Sequence, residues 1–290
     1  MMARMSQTLE RTSAAPQTRH FSGLLPNRML RWRRPVWWQE IAIIAFGYWI
    51  YTMGRNAIPE QASIARRHGR SIEHVQDLLQ LNWERSFNHY VAGAEWLAQF
   101  LDYYYSTMHF IVTISVMVWL FVRRSHIYRG ARTVLVTTTL LGLLGFYLYP
   151  TAPPRLLPEL DYVDTVAKFH TWGSLADPDI AQHSNQYAAM PSLHIAWALW
   201  SGIALFICAR RVWVRWLGLA HPAMTLIVIV GTANHFVLDA AGGALVLAIA
   251  FGFQWLLSGH GAYVAPVDAP DFGLPDPQLP HLPHKLTVQS

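Results

Sequence analysis

The sequence predicts an all-α, polytopic integral membrane protein: a six-transmembrane-helix bundle with an external amphipathic helical segment. Three observations predict this fold class. Of the 290 residues, 53% are hydrophobic and 13% are charged, against roughly 25% charged residues in a soluble domain. Six apolar stretches come close to the roughly 20 residues that cross a bilayer as a helix. The chain also contains 13 Trp, 12 Tyr and 13 Phe, and such aromatic side chains are enriched at membrane interfaces.

The chain divides into a tail, a membrane domain and a second tail. Residues 1–35 form a basic segment without an apolar core that would make it a signal peptide, and we expect a disordered cytoplasmic tail. Residues 258–290 are rich in Pro, His and Asp, a composition typical of disorder. Residues 36–257 hold the predicted spans, which are Val36–Met53, Asp102–Val122, Thr133–Tyr149, Pro191–Ala209, Trp216–Ala233 and Phe236–Leu257.

The segment 54–100, between the first two spans, mixes charged and apolar residues. Its apolar residues recur at helical spacing, at Ile72, Val75, Leu78, Leu79, Leu81 and Trp83. This pattern predicts one or two amphipathic helices outside the hydrocarbon or on its surface. We expect the polar residues Glu84, Asn88, His89 and Glu95 to face solvent or to belong to a lid.

The placement of arginine predicts the orientation of the bundle. The N-terminal tail and the turns 123–132 and 210–215 are rich in Arg, and they alternate along the chain so that all three lie on one side. The positive-inside rule makes that side cytoplasmic. Both termini are then cytoplasmic, the opposite ends of the spans face outward, and the plasma (inner) membrane is the expected location. This distribution explains the net charge of +5 without nucleic acid as a partner. Cys208 is the only cysteine, so no intrachain disulfide can form.

Two histidines stand at the outer ends of predicted spans. His194 closes the stretch Met190-Pro191-Ser192-Leu193-His194, and His235 is followed four residues later by Asp239. On a helix, His235 and Asp239 share one face about one turn apart. A carboxylate beside an imidazole fixes the tautomer of the ring and raises its basicity. Because Arg155 follows the third span on the same side, these groups are expected to converge at one face of the membrane.

These side chains suit phosphoryl transfer from a phosphate ester or phosphoanhydride of a lipid. Neutral His235 can attack phosphorus and form a phosphohistidine, while Asp239 stabilises the imidazolium character that develops. His194 can protonate the leaving oxygen and then accept a proton from water or an alcohol. Arg155 can bind two phosphate oxygens, and backbone N–H groups near Ser192 can bind an anion as helix N-termini do. This scheme needs no metal and no cofactor.

The motifs resemble those of the type 2 phosphatidic acid phosphatase superfamily, which also includes the vanadium haloperoxidases. Pro191-Ser192-Leu193-His194 matches its Pro-Ser-x-His motif, and His235 with Asp239 matches its His-x-x-x-Asp ending. Tyr149-Pro150-Thr151-Ala152-Pro153-Pro154-Arg155 is similar to its first motif, in a form closest to the inositolphosphorylceramide synthase-like branch. The resemblance covers about residues 36–257 and implies a lipid phosphatase or an inositolphosphotransferase-like enzyme. It implies that His235 is the nucleophile, His194 the acid and base, Asp239 the orienting carboxylate, and Arg155 and Ser192 phosphate ligands.

Three positions depart from the usual motifs of that superfamily. Leu148 stands where a Lys usually begins the first motif, and Val228 and Ile229 stand where the third motif usually has Ser-Arg. Two of the basic side chains that usually bind phosphate are therefore absent, as they tend to be in the synthase-like branch. Other groups must then bind the phosphate, and the candidates are Asn234, Thr232 and His109.

Several alternatives stay open from the residues alone. The His–Asp pair can be structural, Arg155 can snorkel to the interface, Ser192 can cap its helix, and His109 can be a hydrogen-bonded residue between helices. A non-catalytic lipid-phosphate transporter or a membrane scaffold competes with the enzyme, although transport favours charges deep in several spans. Vanadium haloperoxidases are soluble, which sets them apart from this chain. The residues do not decide whether water or an alcohol accepts the phosphoryl group.

Overall fold

The structure, a computed structural model, describes residues 23–25, 35–56, 62–171 and 186–265. Its helices are α1 (Trp37–Asn56), α2 (Ala62–Leu78), α3 (Trp83–Ala92), α4 (Glu95–Arg123), α5 (Ser125–Leu148), α6 (Thr165–Phe169), α7 (Leu193–Cys208), α8 (Val212–Gly231) and α9 (Val237–Ser258). Two short 3-10 turns, Pro154–Leu156 and Pro158–Leu160, follow α5. Each of the six apolar stretches predicted as spans forms one of these helices, and the all-α fold class is confirmed.

Four helices in the described part are long and apolar enough to cross a membrane, namely α4, α5, α8 and α9. The other two predicted spans fall short of that standard. α7 has 16 residues, fewer than the roughly 20 that a bilayer requires. α1 has 20 residues, but Gln39, Glu40 and several Trp and Tyr residues lower its mean hydropathy. Length and composition therefore support four of the six predicted spans.

The short helix α7 is the centre of the bundle, where it packs against α4, α5, α8 and α9. Only two of its 16 side chains are exposed. Trp200 is fully buried, and its indole Nε1 donates to the carbonyl oxygen of Ala131 on α5 at 2.9 Å. Gly202 and Gly218 let α7 and α8 approach closely, because a Cβ at Gly202 would lie 2.3 Å from the Gly218 carbonyl oxygen. The surface of α7 is therefore covered by protein over most of its length.

The arginine-rich turns and the histidines lie at opposite ends of the bundle. Arg124, in the turn between α4 and α5, donates from Nη2 to the carbonyl oxygen of Cys208 at the end of α7, at 3.0 Å. The two arginine-rich turns therefore adjoin each other. His194 lies in the first turn of α7 and His235 just before α9, at the other end of these helices. The bundle thus separates the two sets of residues as the orientation argument requires.

The helices α2 and α3 pack over the histidine end of the bundle. They are amphipathic helices at the positions that the spacing predicts, yet polar side chains belong to their buried faces. Glu84 and Asn88 are 1% and 0% exposed, so the expectation that they face solvent is wrong, whereas His89 and Glu95 are exposed as expected. Apolar side chains of the same segment are instead exposed, among them Val75, Leu78, Leu79 and Trp83.

These polar side chains are buried because they form hydrogen bonds with the ends of α8 and α9. A helix leaves its first N–H and last C=O groups without partners inside the helix. Asn88 donates from Nδ2 to the carbonyl oxygen of Gly231, the last residue of α8, at 2.9 Å. Glu84 accepts from the amide of Val237, the first residue of α9, at 3.1 Å. The segment therefore supplies hydrogen-bond partners to the helix ends that flank His235.

The helix α1 docks on α5 through a buried carboxylate. Glu40 accepts hydrogen bonds from Tyr128 and Arg132, and its ion pair with Arg132 is mostly shielded from solvent. Most of the predicted disorder in the tails falls on residues 1–22, 26–34 and 266–290, which lie outside the described residues. Residues 23–25 meet the end of α9, where the Leu24 amide donates to the carbonyl oxygen of Leu256 at 2.9 Å.

Candidate active site

His235 sits in the tight turn between α8 and α9. The amides of Asn234 and His235 both donate to the carbonyl oxygen of Ile229, at 3.0 and 3.1 Å, and Ala233 adopts a positive φ of 53°. Helix α9 begins only at Val237. His235 therefore precedes the helix, and the expectation that His235 and Asp239 share a helical face is wrong in that detail.

The imidazole of His235 is buried, with one nitrogen bound and the other free. Nδ1 lies 2.9 Å from the carbonyl oxygen of Ala189 and 3.5 Å from Oδ2 of Asp239. A carbonyl oxygen can only accept, so Nδ1 carries the proton in the neutral ring. Nε2 is buried and has no hydrogen-bond partner among the described residues. The lone pair of Nε2 is therefore available to an electrophile.

Asp239 is fully buried and anchors the turn as well as facing the ring. Its Oδ2 accepts from the amide of Phe236 at 2.9 Å, which satisfies one of the amides that the start of α9 leaves open. Its Oδ1 has no partner in the described part of the chain. The structure does bring His235 and Asp239 together, but the nearest partner of Nδ1 is the Ala189 carbonyl.

His194 lies opposite His235, with ring centroids 5.5 Å apart. Tyr105 of α4 stacks on the His194 ring at 4.2 Å. His109, one turn further along α4, meets the same ring edge-on at 4.2 Å, and its Nδ1 lies 2.9 Å from the Tyr105 carbonyl oxygen. The structure therefore places His109 beside His194, where it helps to enclose that ring.

Ser192 occupies the N-cap position of α7 but does not cap the helix with its side chain. Its amide donates to the carbonyl oxygen of Asp239 at 2.9 Å, which ties the start of α7 to α9. Its hydroxyl is buried and has no partner among the residues described. Pro191 lies ahead of the helix, because α7 begins at Leu193.

Arg155 is held beside the His235 turn rather than at the lipid interface. Its Nε donates to Oδ1 of Asn234 at 2.9 Å and its Nη1 to Oδ2 of Asp164 at 3.0 Å. Its backbone amide donates to the carbonyl oxygen of Ala233 at 3.1 Å. Asn234 donates in turn from Nδ2 to Thr232 at 2.8 Å. The side-chain amide of Asn234 thus orients the guanidinium of Arg155. The other N–H groups of that guanidinium have no partner in the described ranges.

The amino-acid pattern did not reveal four groups that shape this site. Asp164 pairs with Arg155 and also caps α6 by accepting from the Ala167 amide at 3.0 Å; an Asp at a helix start is a capping signal, but it does not reveal the arginine partner. The Ala189 carbonyl has no sequence signal, since every residue carries one. Tyr105 and Glu84 come from helices more than a hundred residues away from His235 along the chain.

A comparison with known protein families identifies the chain. The sequence profile of the PAP2 superfamily matches residues 70–253, more than half of the 290 residues. The chain belongs to the PAP2 superfamily. The region matched by the PAP2 superfamily begins in α2, ends in α9 and contains all the predicted site residues. The curated proteins and the solved structures gave no match. Membership of the PAP2 superfamily fits a lipid phosphatase or phosphotransferase and supports an enzyme.

The three residues that depart from the usual PAP2 superfamily motifs are not all in the same surroundings. Val228 and Ile229 are fully buried and belong to apolar clusters that involve α4, α7 and α9. Leu148 is exposed at the end of α5. A cation at either α8 position would meet apolar side chains, which is costly without a partner. Within the described ranges, no three His, Cys, Asp or Glu side chains group as a metal site requires, and metal independence stays a prediction.

Proposed function

We propose that this PAP2 superfamily protein is a membrane-embedded lipid phosphatase or phosphotransferase that acts through a phosphohistidine on His235. The observation that carries the proposal is the state of the His235 ring. Its Nδ1 is bound to the Ala189 carbonyl, and its buried Nε2 has no partner in the described part of the chain. Most buried side-chain nitrogen and oxygen atoms in proteins have a hydrogen-bond partner, so the unpartnered Nε2 marks His235 as a candidate for chemistry. A free Nε2 across from a second histidine favours a nucleophile.

The first step forms a bond between His235 Nε2 and phosphorus and breaks the bond between phosphorus and the leaving oxygen. His194, in its protonated form, donates a proton to that oxygen, so the lipid alcohol leaves as a neutral group. Asp239 stabilises the imidazolium character of His235 during the step. The free N–H groups of Arg155 and the hydroxyl of Ser192 donate to the phosphate oxygens, where negative charge develops.

The second step returns the enzyme to its starting state. His194, now neutral, accepts a proton from water or an alcohol, whose oxygen attacks phosphorus while the bond to His235 breaks. Water as acceptor makes the enzyme a phosphatase, and an alcohol makes it a phosphotransferase. The motif form around Arg155, which resembles the inositolphosphorylceramide synthase-like branch, slightly favours transfer to a polyol. Asn234 orients Arg155 through a hydrogen bond, and the ring of His109 packs against the ring of His194.

The proposed topology has six spans, with α1 and α7 as the two that length and composition alone do not support. The termini are cytoplasmic, and the site opens to the outer face of the plasma (inner) membrane. Two exposed arginines, Arg67 on α2 and Arg211 at the start of α8, provide a matched test in a Cys208→Ser background. In intact cells an impermeant thiol reagent should label Arg67→Cys and spare Arg211→Cys. Labelling of Arg211→Cys alone would invert the topology.

A headgroup-resolved lipid screen with purified protein tests the chemistry. Phosphatidic acid and other phospholipids are supplied with water alone or with a polyol such as inositol, and released phosphate and new phosphodiesters are measured separately. Acid-labile, base-stable 32P on the protein after a rapid quench identifies phosphohistidine, and the label should be absent from His235→Ala. Turnover by folded His235→Ala at the wild-type rate would refute the nucleophile. Lipid-phosphate binding without turnover would favour a transporter or scaffold.

A further inference from the structure

Two side chains from α2 and α3 hydrogen-bond the first two amides of α9. Gln76 Oε1 accepts from the Leu238 amide at 3.0 Å, and Glu84 Oε1 accepts from the Val237 amide at 3.1 Å. With the Phe236 amide bound by Asp239, three consecutive amides are satisfied by side chains from three different helices. These amides have no helical carbonyl to bind. The segment that covers the site therefore fixes the N-terminus of α9 from outside.

The bond from Glu84 acts close to the reacting group. Val237 is two residues after His235, and Glu84 is 1% exposed, so its carboxyl group cannot move without disturbing the packing of α3. Asn88, one turn further along α3, bonds the last carbonyl of α8. Helix α3 thus forms hydrogen bonds with the backbone on both sides of the turn that carries His235.

We propose that Glu84 is a positioning residue, which holds the start of α9 and thereby sets the place of His235 and Asp239 for phosphoryl transfer. This inference rests on the proposed function, because it assigns Glu84 a role in that reaction. Glu84 does not touch the substrate phosphate. It acts on the reaction only through the backbone of the turn and through its charge.

The surroundings of Glu84 favour its neutral form. The pKa of Glu84 is raised to about 8, mainly by burial and also by the negative charges of Glu73 on α2 and Asp239 on α9, against hydrogen bonds from the Val237 amide and the Gln76 side chain, which lower it. Arg85, the next residue, pairs with Glu73 instead, and Tyr162 also bonds Glu73. Glu84 Oε2 is buried without a hydrogen-bond partner among the described residues. Ionisation would place a charge on this buried group, which is costly, whereas the neutral carboxylic acid is tolerated.

The sign of the pH effect follows from this raised pKa. The folded state holds a proton on Glu84 between the ordinary value of 4.5 and about 8, while the unfolded chain has lost it. The free energy of unfolding therefore falls as pH rises through that window. Above pH 8 the folded protein carries a second buried negative charge beside Asp239, which disfavours an incoming phosphate. Ionisation of Glu84 should therefore add to the alkaline decline that follows when His194 loses the proton it donates.

The test compares Glu84→Gln with Glu84→Ala in the purified full-length protein, with phosphatidic acid in mixed micelles as the substrate. Gln keeps the acceptor oxygen and the size but cannot ionise, and Ala removes the acceptor. Glu84→Ala should lower kcat about 100-fold with little change in KM, since small displacements of reacting groups have effects of that order. Glu84→Gln should keep near wild-type kcat at pH 7, and the part of the alkaline decline that comes from Glu84 should disappear from its pH profile. Exposed Glu95→Ala serves as the control and should behave as wild type.

A second measurement needs no activity. Hydrogen exchange followed by mass spectrometry, on peptides that cover residues 232–242, should show faster exchange in Glu84→Ala than in wild type and unchanged exchange in Glu84→Gln. Unchanged exchange in Glu84→Ala would overturn the anchoring of α9. A folded Glu84→Ala with wild-type kcat, or a pH profile of Glu84→Gln identical to that of wild type, would overturn the positioning role. If no His235-dependent turnover exists at all, the proposed function fails, and the exchange result still decides whether Glu84 holds α9.

Discussion

His235 Nδ1 lies 2.9 Å from the carbonyl oxygen of Ala189, closer than the 3.5 Å that separates it from the Asp239 carboxylate. The backbone of the segment before α7 therefore fixes the tautomer of a ring that belongs to the segment before α9. A carbonyl cannot lose this role by titration or by side-chain substitution. In the proposed mechanism, Asp239 is left with the electrostatic role, which is to stabilise positive charge on the ring.

This division of roles predicts different losses for two variants. His235→Ala should abolish turnover, while Asp239→Asn should lower kcat by about 100-fold, or about 2.7 kcal/mol at 1.36 kcal/mol per tenfold. The loss is moderate because the Ala189 carbonyl still holds Nδ1–H in place. Steady-state kinetics on detergent-purified protein measure both. Equal, complete inactivation of the two folded variants would show that Asp239 also fixes the tautomer.

The proposed acid role of His194 predicts a dependence on the leaving group. His194→Ala should lower kcat for a lipid phosphate by about 100- to 10,000-fold, the usual range for a lost general acid. A nitrophenyl phosphate needs no proton on its leaving oxygen, so formation of the phosphohistidine from it should be much less impaired. Single-turnover kinetics with both substrates separate the two cases. The same loss with both would assign His194 to packing against Tyr105 rather than to proton transfer.

The ion pair between Arg155 and Asp164 predicts a large loss of activity for a substitution of Arg155 and a small loss for a substitution of Asp164. Arg155→Lys cannot keep the fork that Asn234 and Asp164 hold, and it should lower kcat/KM by about 100- to 1,000-fold. Asp164→Asn keeps an acceptor for the guanidinium and a cap for α6, so a loss of about fivefold is expected. Initial rates across a range of lipid phosphate concentrations give these values. Arg155→Lys with full activity would show that Arg155 binds no phosphate oxygen.

The close approach of α9 to Ser192 predicts a steric effect at Gly243. A Cβ there would lie 2.2 Å from the Ser192 carbonyl oxygen, whereas a Cβ at Gly252 on the same helix would meet nothing within 4 Å. Gly243→Ala should destabilise the protein by about 1–3 kcal/mol and lower activity, because the start of α7 must move. Thermal unfolding in detergent measures the effect, and Gly252→Ala is the matched control. Equal unfolding temperatures for the two variants would contradict this packing.

The proposed chemistry also predicts the response to inhibitors. Orthovanadate adopts the five-coordinate geometry of a phosphoryl group under attack, so it should inhibit in competition with the lipid phosphate. EDTA should leave the rate unchanged, because side chains alone provide the nucleophile, the proton donor and the charge compensation. Rates before and after chelation, with Mg²⁺ added back, provide the measurement. A loss that Mg²⁺ restores would require a metal in the reaction.

Much of this protein follows from the residues without any contact information. The long apolar stretches determine an all-helical bundle, since a chain in lipid must satisfy its backbone within helices. The Pro-Ser-Leu-His and His-x-x-x-Asp stretches indicated the candidate site, because their side-chain chemistry and their places at the ends of helices are local properties. The two amphipathic helices after α1 also followed from local spacing.

Tertiary structure alone decided how those pieces meet. Hydropathy assigned Glu84 and Asn88 to solvent, yet both are buried, because the open amides and carbonyls at the ends of α8 and α9 need partners and the surrounding apolar core supplies none. The partner of His235 Nδ1 is a backbone oxygen 46 positions away in the chain, and such an oxygen leaves no mark on the amino-acid pattern. The sequence by itself determined which residues are candidates for the reaction, and the packing of distant segments decided what holds them.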